Sequence, residues 1–288
     1  MSGATHIANV PDDALRTAIA QAGLDNLDGA FAFREGDELH KPGLGTRRRT
    51  RVILRDSAGQ ERLLFLKRYG PEPFFRRLRW FVCSFGSWTS RMKSPARVEF
   101  DAVAAVRDAG VPTMETLAFG QGCPLADGRS FLLVSAVPGE SLERRYDDLA
   151  EAAPRDDSPL AGRLADELAN LVRTFHAAGL AHRDLYLSHI FLAQQGDAMK
   201  LYLIDLARVF RPAAWRRFRW QIKDLAALHY SLPPQWRARH WVTFLSRYLG
   251  NATEKQTARW MRAIEKKSNT VARRTARRTA RRAVGKPT

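Results

Sequence analysis

Two short segments, 182–189 and 200–205, constrain this chain more than any other feature. The first contains His182-Arg183-Asp184 and ends at His189, and the second is an apolar run that ends at Asp205. This spacing predicts a loop and a short strand pair that bring two carboxylates together. The end of an apolar strand is a costly position for a charged side chain that has neither a partner nor a use. We therefore expect both carboxylates to belong to a functional site.

The layout is typical of the catalytic loop and metal-binding strand of a kinase-fold phosphotransferase. One carboxylate must meet the acceptor hydroxyl, and another must hold the Mg²⁺ that bridges the transferring phosphates. Asp184 is accordingly the predicted catalytic residue, and Asp205 is the predicted metal ligand. We expect Asp224, on a later helix, to accept backbone N–H groups of the catalytic loop. His182 and Arg183 are predicted to support the loop structurally.

Lys67 ends the predicted strand 62–68, where a lysine could pair with the α- and β-phosphates of ATP. Glu99, on the following helix, is its expected ion-pair partner. Gly43 and Gly45 predict a phosphate-covering loop, although a two-glycine turn is a weak signal by itself. The alternatives, a solvated lysine at a strand end and a surface acid on a helix, stay open at this point.

His189 departs from the protein-kinase pattern, in which an asparagine holds a second Mg²⁺ at this position. Imidazole is a poor ligand for Mg²⁺, which prefers oxygen. Two roles for His189 are therefore open. It is either a ligand beside one principal metal ion or a contact to phosphate or to the loop structure.

The same residues carry a resemblance to the lipopolysaccharide core heptose kinases, the WaaP-type and Kdo-kinase-related family. In that family a histidine stands where protein kinases have the asparagine. The resemblance covers roughly residues 30 to 250, and these segments carry it: 66–69, 93–99, 182–192, 203–208 and 216–224. It implies an enzyme that uses ATP and Mg²⁺ to phosphorylate a sugar hydroxyl, of heptose or Kdo, in a lipopolysaccharide core or related glycolipid.

The fold that we predict is α+β and bilobal, like that of protein kinases. A small β-rich N-lobe at 30–137 precedes a larger helical C-lobe at 138–268. Residues 1–29 are predicted to be an N-terminal extension, and 269–288 an Arg-rich tail that is either a helix with arginines along one side or a disordered arm. The insertion at 69–93 interleaves aromatic and basic residues. Such a stretch either packs on the N-lobe or contacts anionic lipid or sugar phosphate.

The formal net charge of +17 predicts polyanionic partners. Thr270 to Thr288 contributes six arginines and one lysine without an acid, and the rest of the chain is also basic. The expected partners are an anionic glycolipid or sugar-phosphate acceptor and an anionic membrane surface, in preference to nucleic acid bound through the tail. The sequence has two cysteines, Cys83 and Cys123, and no signal-peptide pattern. We therefore expect a cytoplasmic protein, peripheral on the inner face of the cell membrane.

A kinase-like fold also occurs in proteins with functions other than phosphorylation of a glycolipid. A small-molecule or protein kinase is the first alternative, but Leu206 follows Asp205 where a regulated protein kinase has phenylalanine and glycine, and no Ala-Pro-Glu segment occurs. A kinase-like pseudoenzyme or a polyanion-binding protein is the second. The presence of Lys67, Asp184 and Asp205 opposes that reading.

Overall fold

The computed structural model describes residues 4–7, 10, 12–39, 47–71, 93–122, 128–153, 159–196 and 198–283. The chain divides into two compact units. Unit 1 comprises Met1–Ala105 and Met114–Val137, and unit 2 comprises Val106–Thr113 and Pro138–Thr288. The predicted glycine loop with Gly43 and Gly45 and most of the insertion at 69–93 lie outside the described residues.

Unit 1 is built on one antiparallel sheet with the strand order β1-β5-β6-β4-β3-β2. The strands are β1 (Ala4–Ile7), β2 (Asp37–Glu38), β3 (Arg47–Arg55), β4 (Glu61–Tyr69), β5 (Thr116–Gln121) and β6 (Ser130–Ser135). The helices are α1 (Asp13–Gln21), α2 (Leu27–Ala32) and α3 (Pro95–Asp108), and the last residues of α3 belong to unit 2.

The described residues of the predicted extension at 1–29 include part of the core of unit 1. Strand β1 pairs with β5, and Ile19 and Leu24 are completely buried in the same apolar cluster as Leu66 and Phe131. The physical reason is that α1 has one apolar side, which is removed from water only when it packs against the sheet.

The phenylalanine-containing segment 31–41 predicts a strand, which is wrong for residues 31–36. Helix α2 occupies the first two residues of this segment, and among its described residues Asp37–Glu38 pairs with β3. The Asn26 side chain caps α2 by accepting a hydrogen bond from the Gly29 N–H (2.8 Å). A capped helix start thus prevails here over the strand propensity of the phenylalanines that follow it.

The sequence predicts a helix with Ser94 as its N-cap and Gly110 after its end, and helix α3 (Pro95–Asp108) lies between these two residues. The Ser94 hydroxyl accepts a hydrogen bond from the Arg97 N–H (3.2 Å), as an N-cap does. Gly110 has a φ of +75°, the left-handed conformation in which helices commonly end. These two ends fix where Glu99 lies on the helix.

Unit 2 contains a three-stranded antiparallel sheet and five helices among its described residues. Its strands, in the order β7-β8-β9, are β7 (Glu140–Ser141), β8 (Ile190–Gln195) and β9 (Ala198–Leu203). Its helices are α4 (Tyr146–Ala152), α5 (Pro159–Ala177), α6 (Arg217–Ser231), α7 (Pro234–Leu249) and α8 (Glu254–Ala283). Helix α5 packs against α7, and α6 packs against α8. No helix in the described part of the chain is both long and apolar enough to cross a membrane.

The basic tail predicted at 269–288 continues helix α8 as far as Ala283. Of the two alternatives that the repeated Ala-Arg-Arg-Thr sequence left open, the structure has the helix. Alanine and arginine are both good helix formers, and the packed first half of α8 supplies the nucleus from which the second half extends.

His229 on α6 joins this helix to α8 and makes the packing sensitive to pH. Its Nδ1 lies 3.0 Å from the hydroxyl of Ser268 on α8. Burial, together with the nearby Arg237 guanidinium, lowers the pKa of His229 from 6.5 to about 4. The folded protein therefore holds His229 neutral over a pH range in which the unfolded chain is protonated.

The stability that neutral His229 contributes is complete above pH 6.5 and is lost as the pH falls from 6.5 towards about 4. We expect the midpoint temperature of thermal unfolding to decrease over this interval. The variant His229→Asn keeps a hydrogen-bond acceptor for Ser268 but cannot be protonated, so its midpoint should decrease less steeply. A profile as steep as that of the wild type would contradict the assignment.

Candidate active site

In unit 1, Lys67 and Glu99 form a buried ion pair between β4 and α3. Lys67 Nζ contacts Glu99 Oε1, and Glu99 is completely buried. The second carboxylate oxygen, Oε2, accepts a hydrogen bond from the Tyr69 hydroxyl (2.5 Å). Both oxygens of the buried carboxylate thus have a donor, which a charge removed from water requires.

The alternation of side chains along β4 explains this arrangement. Lys67 and Tyr69 are two residues apart, so both point to the face of the sheet on which Glu99 lies. Arg68 points the other way, where its guanidinium donates to the Phe33 carbonyl (3.0 Å) and the Thr50 hydroxyl (2.7 Å). Burial and the neighbouring Glu99 raise the pKa of Tyr69 well above its usual value, so its hydroxyl remains a proton donor.

In unit 2, the Asp224 carboxylate fixes the backbone of the catalytic loop. Its Oδ2 accepts from the His182 N–H (2.6 Å) and its Oδ1 from the Arg183 N–H (2.8 Å). Asp224 is fully buried on α6, and Arg183 has a φ of +74°, a conformation that costs energy for a residue with a side chain. The two charge-assisted hydrogen bonds hold this strained turn, from which Asp184 follows.

His182 connects the catalytic loop to the segment between β9, which ends at Leu203, and Asp205, which has a φ of +58°. Its Nε2 lies 3.1 Å from the Ile204 carbonyl, so this nitrogen must carry the hydrogen. Burial lowers the pKa of His182 below its usual value despite the Asp224 charge. The ring is therefore neutral at physiological pH and donates from Nε2 to the Ile204 carbonyl.

Asp184 contacts Arg208, which lies three residues after Asp205. Arg208 Nη1 donates to Asp184 Oδ2 at 2.5 Å, and about 29% of the Asp184 side chain is exposed. The catalytic loop and the segment after the metal-binding strand are thereby linked through the predicted catalytic carboxylate. The second oxygen, Oδ1, is the one available to a hydroxyl group.

His189 lies between the two carboxylate positions. Its Nδ1 is 2.7 Å from the Asp184 carbonyl oxygen, which can only accept, so Nδ1 carries a hydrogen. Its Nε2 is 3.5 Å from Asp205 Oδ2. His189 therefore has a structural contact and, on its other nitrogen, is close to the predicted metal ligand. Both roles left open by the sequence are compatible with this geometry.

The donor set around Asp205 fits a metal ion that is completed by a substrate. No group of three or more His, Cys, Asp or Glu side chains that could hold a metal occurs among the described residues. Mg²⁺ in phosphotransferases usually has one or two protein ligands, with phosphate oxygens and water as the others. The carboxylate of Asp205 and the neighbouring Nε2 of His189 fit that pattern.

In each unit, one residue that contacts a predicted functional residue was not assigned a role by sequence reasoning. Tyr69, which completes the buried Glu99 carboxylate, could have been found from its spacing of two from Lys67 on a strand. For Arg208, which contacts Asp184, the sequence signal was its place in a segment that resembles the family. The two residues are twenty-four positions apart, so no helix or strand period relates them.

The fold and the family follow from comparison with known proteins. A solved structure of WaaP in complex with acyl carrier protein matches with a TM-score of 0.64 and 24% identity, over 93% of this chain and 98% of that one. The class of the protein is therefore α+β with a protein-kinase-like fold, which confirms the prediction. Residues 85–248 match the Lipopolysaccharide kinase (Kdo/WaaP) family. Because this match covers more than half of the chain, the chain belongs to that family, and the resemblance noted in its sequence is confirmed.

Curated relatives share about half of this chain. The lipopolysaccharide core heptose(I) kinase WaaP of Pseudomonas aeruginosa is 35% identical over 142 residues, 47% of this chain and 52% of that protein. The protein of the same name from Escherichia coli is 36% identical over 140 residues, 46% of this chain and 51% of that protein. The matched region thus spans about half the length of these relatives.

The hydrogen bond from Tyr69 to Glu99 can be tested by its effect on stability. Tyr69→Phe removes the hydroxyl and leaves Glu99 Oε2 buried without that donor. An unsatisfied buried acceptor of this kind costs about 1–3 kcal/mol, so we expect the free energy of unfolding to decrease by about that amount. Denaturant titration followed by circular dichroism measures it.

Tyr146→Phe is the matched control, because it removes the same atom from an exposed tyrosine. Its free energy of unfolding should stay within about 0.5 kcal/mol of the wild-type value, as is usual for surface substitutions. Equal effects of the two substitutions would show that the Tyr69 hydroxyl does not stabilise the buried carboxylate.

Proposed function

We propose that this protein is an ATP-dependent kinase that phosphorylates a sugar hydroxyl, of heptose or Kdo, in a lipopolysaccharide core or a related glycolipid. The observation that carries the proposal is the geometry of unit 2. There, a loop fixed by Asp224 presents the Asp184 carboxylate, and Asp205 follows Ile204, whose carbonyl is hydrogen-bonded to His182 of that loop. Membership of the Lipopolysaccharide kinase (Kdo/WaaP) family supports the sugar acceptor.

Lys67 is the proposed contact for the α- and β-phosphates of ATP. The Glu99 carboxylate, which Tyr69 also holds, fixes the direction of the ammonium group. A lysine positioned in this way neutralises phosphate charge and orients the nucleotide, which is most of what a phosphoryl-transfer enzyme must do. The proposed covering loop with Gly43 and Gly45 would add backbone N–H groups.

Asp205 is the proposed ligand of Mg²⁺, with His189 beside it. When bound, the metal ion supplies positive charge to the phosphate oxygens. The hydrogen bond from His189 Nδ1 to the Asp184 carbonyl keeps the ring in one orientation, with Nε2 directed towards Asp205. Holding a histidine in one orientation through its other nitrogen is the usual way in which proteins position this side chain beside a metal ion.

Asp184 is the proposed residue that meets the acceptor hydroxyl. Arg208 holds Oδ2, so Oδ1 can accept the hydrogen bond of the sugar hydroxyl. As the hydroxyl oxygen bonds to the γ-phosphorus of ATP, the bond from that phosphorus to the ADP oxygen breaks, ADP leaves, and Oδ1 takes the hydroxyl proton. The contact with Arg208 also limits rotation of the carboxylate. A fixed carboxylate suffices, because phosphoryl transfer depends on alignment more than on a strong base.

The charge of the protein suits such an acceptor and its location. A net charge of +17 attracts a glycolipid that bears phosphates or carboxylates, as well as the anionic lipids around it. We therefore propose that the protein is cytoplasmic and acts as a peripheral protein on the inner face of the cell membrane.

The test is transfer of label from γ-labelled ATP, with Mg²⁺, to lipopolysaccharide that lacks core phosphate. We expect the wild type to label this acceptor and Asp184→Ala to reduce the rate by at least about a hundredfold, because the hydroxyl loses its proton acceptor. The variant should still bind ATP and keep its unfolding temperature, since Asp184 is a partly exposed loop residue.

Asp148→Ala provides the control, because it removes an exposed carboxylate from α4 in the same unit. It should transfer label at the wild-type rate. Near-normal turnover by Asp184→Ala would disprove the role of this carboxylate. Labelling of small molecules or proteins in place of the glycolipid would keep the kinase activity but reject the acceptor.

A further inference from the structure

Helix α8 lies beyond the part of the chain that matches the family, which ends at residue 248. One side of the helix is fixed against α6. Ile264 and Ser268 are buried, and the Trp260 ring contacts the Phe218 ring with 4.9 Å between centroids. The opposite side of α8 therefore faces away from α6 along the packed half of the helix.

The basic residues of α8 lie in a line on that opposite side. Each residue turns an α-helix by about 100°, so positions nine residues before and after Ile264 are about 180° away from it. Six exposed cations fall within about 40° of this direction: Lys255, Arg259, Arg262, Lys266, Arg273 and Arg277. The Arg259 guanidinium also lies 5.2 Å from the centroid of the Phe218 ring on α6. We call these six residues the basic stripe.

The basic stripe is continuous in charge and straight. At about 1.5 Å per residue, the twenty-two residue steps from Lys255 to Arg277 correspond to about 33 Å. The helix contains two acids, Glu254 and Glu265, and each lies about 80–100° away from the centre of the stripe. An anionic partner thus meets six positive charges without an intervening carboxylate.

We propose that the basic stripe docks this protein onto an anionic phospholipid bilayer. The inference rests on the proposed function in one respect, which is that a lipid-linked acceptor requires the enzyme to be at a membrane. Charge complementarity carries the rest of the argument. A planar anionic surface contacts a straight line of cations along its whole length, and each lysine or arginine near such a surface strengthens binding about fivefold.

Duplex nucleic acid fits the same stripe less well. One turn of B-form DNA is about 34–36 Å long, so a phosphate strand passes around the duplex once over the length of the stripe. A straight helix that lies along the duplex axis would therefore be close to one strand for only part of that length. The bilayer has no such curvature.

Trp215 supplies a second observation that favours lipid. Its side chain is 83% exposed just before α6, and the Arg216 guanidinium lies 5.3 Å from its ring centroid. A large exposed indole next to a guanidinium is typical of residues at a membrane interface, where the ring enters the headgroup region. Trp215 lies in the short 3₁₀ turn directly before α6, three residues before Phe218. The Phe218 ring contacts the Trp260 ring of α8, the helix that carries the stripe.

The test is cosedimentation of the full chain with vesicles of phosphatidylcholine, with or without one third phosphatidylglycerol. The stripe variant is Arg262→Gln, Arg273→Gln and Arg277→Gln together. We expect the wild type to bind the anionic vesicles, and the stripe variant to bind about a hundredfold more weakly, because three charges are lost. Binding of the wild type should also decrease as salt is added.

The matched control is Arg163→Gln, Arg173→Gln and Arg239→Gln, which removes the same charge from exposed arginines on α5 and α7. It should bind the anionic vesicles nearly as tightly as the wild type. Equal losses in both triple variants, or no loss in the stripe variant, would overturn the proposal. So would duplex DNA that displaces the protein from the vesicles at equal phosphate concentration.

Two further measurements separate this proposal from the proposed function. Circular dichroism reports whether the stripe variant is folded. A second variant, Lys255→Gln with Lys266→Gln, should bind the anionic vesicles about twenty-five-fold more weakly than the wild type. Phosphorylation of a deacylated, water-soluble core acceptor should be equal in wild type and stripe variant. Absence of that reaction in the wild type would reject the kinase function, while vesicle binding would still decide the role of the stripe.

Discussion

The buried carboxylate of Asp224 is the interaction on which the catalytic part of unit 2 depends. It accepts the backbone N–H groups of His182 and Arg183, and the second of these residues has a positive φ. Hydrogen bonds to a charged group are worth about 1.5–3 kcal/mol each, enough to hold one strained residue. The direction of the next side chain, Asp184, follows from this turn. The Asp224 carboxylate thus determines where the carboxylate with the proposed catalytic role lies.

Unit 1 uses the same physical device for a different purpose. Glu99 is as deeply buried as Asp224, and its two oxygens are also both occupied, by the Lys67 ammonium and the Tyr69 hydroxyl. A buried charge is stable only when its hydrogen-bonding capacity is used, and a group so held has little freedom to move. In each unit, therefore, a fully bonded buried acid fixes the position of one predicted functional residue, Lys67 in unit 1 and Asp184 in unit 2.

The sequence was sufficient for those parts of the site that depend on local spacing. The loop and strand around Asp184 and Asp205, the ends of α3 and the pairing of Lys67 with Glu99 follow from residue order and from helix and strand periodicity. Contacts between distant segments were not predictable in this way. The contact of Arg208 with Asp184 and the packing of helix α1 onto the sheet depend on tertiary structure, for which one sequence gives no periodic signal.

The product of the reaction gives the most direct test that Asp184 and Asp205 serve phosphoryl transfer to a sugar. The measurement is the ³¹P NMR spectrum of a heptose- and Kdo-containing core acceptor that lacks phosphate, after incubation with the wild-type protein, ATP and Mg²⁺. The structure predicts a new phosphate monoester signal coupled to a proton on a sugar carbon, together with ADP. A spectrum that contains ADP and inorganic phosphate but no monoester, or unchanged ATP, would contradict this account.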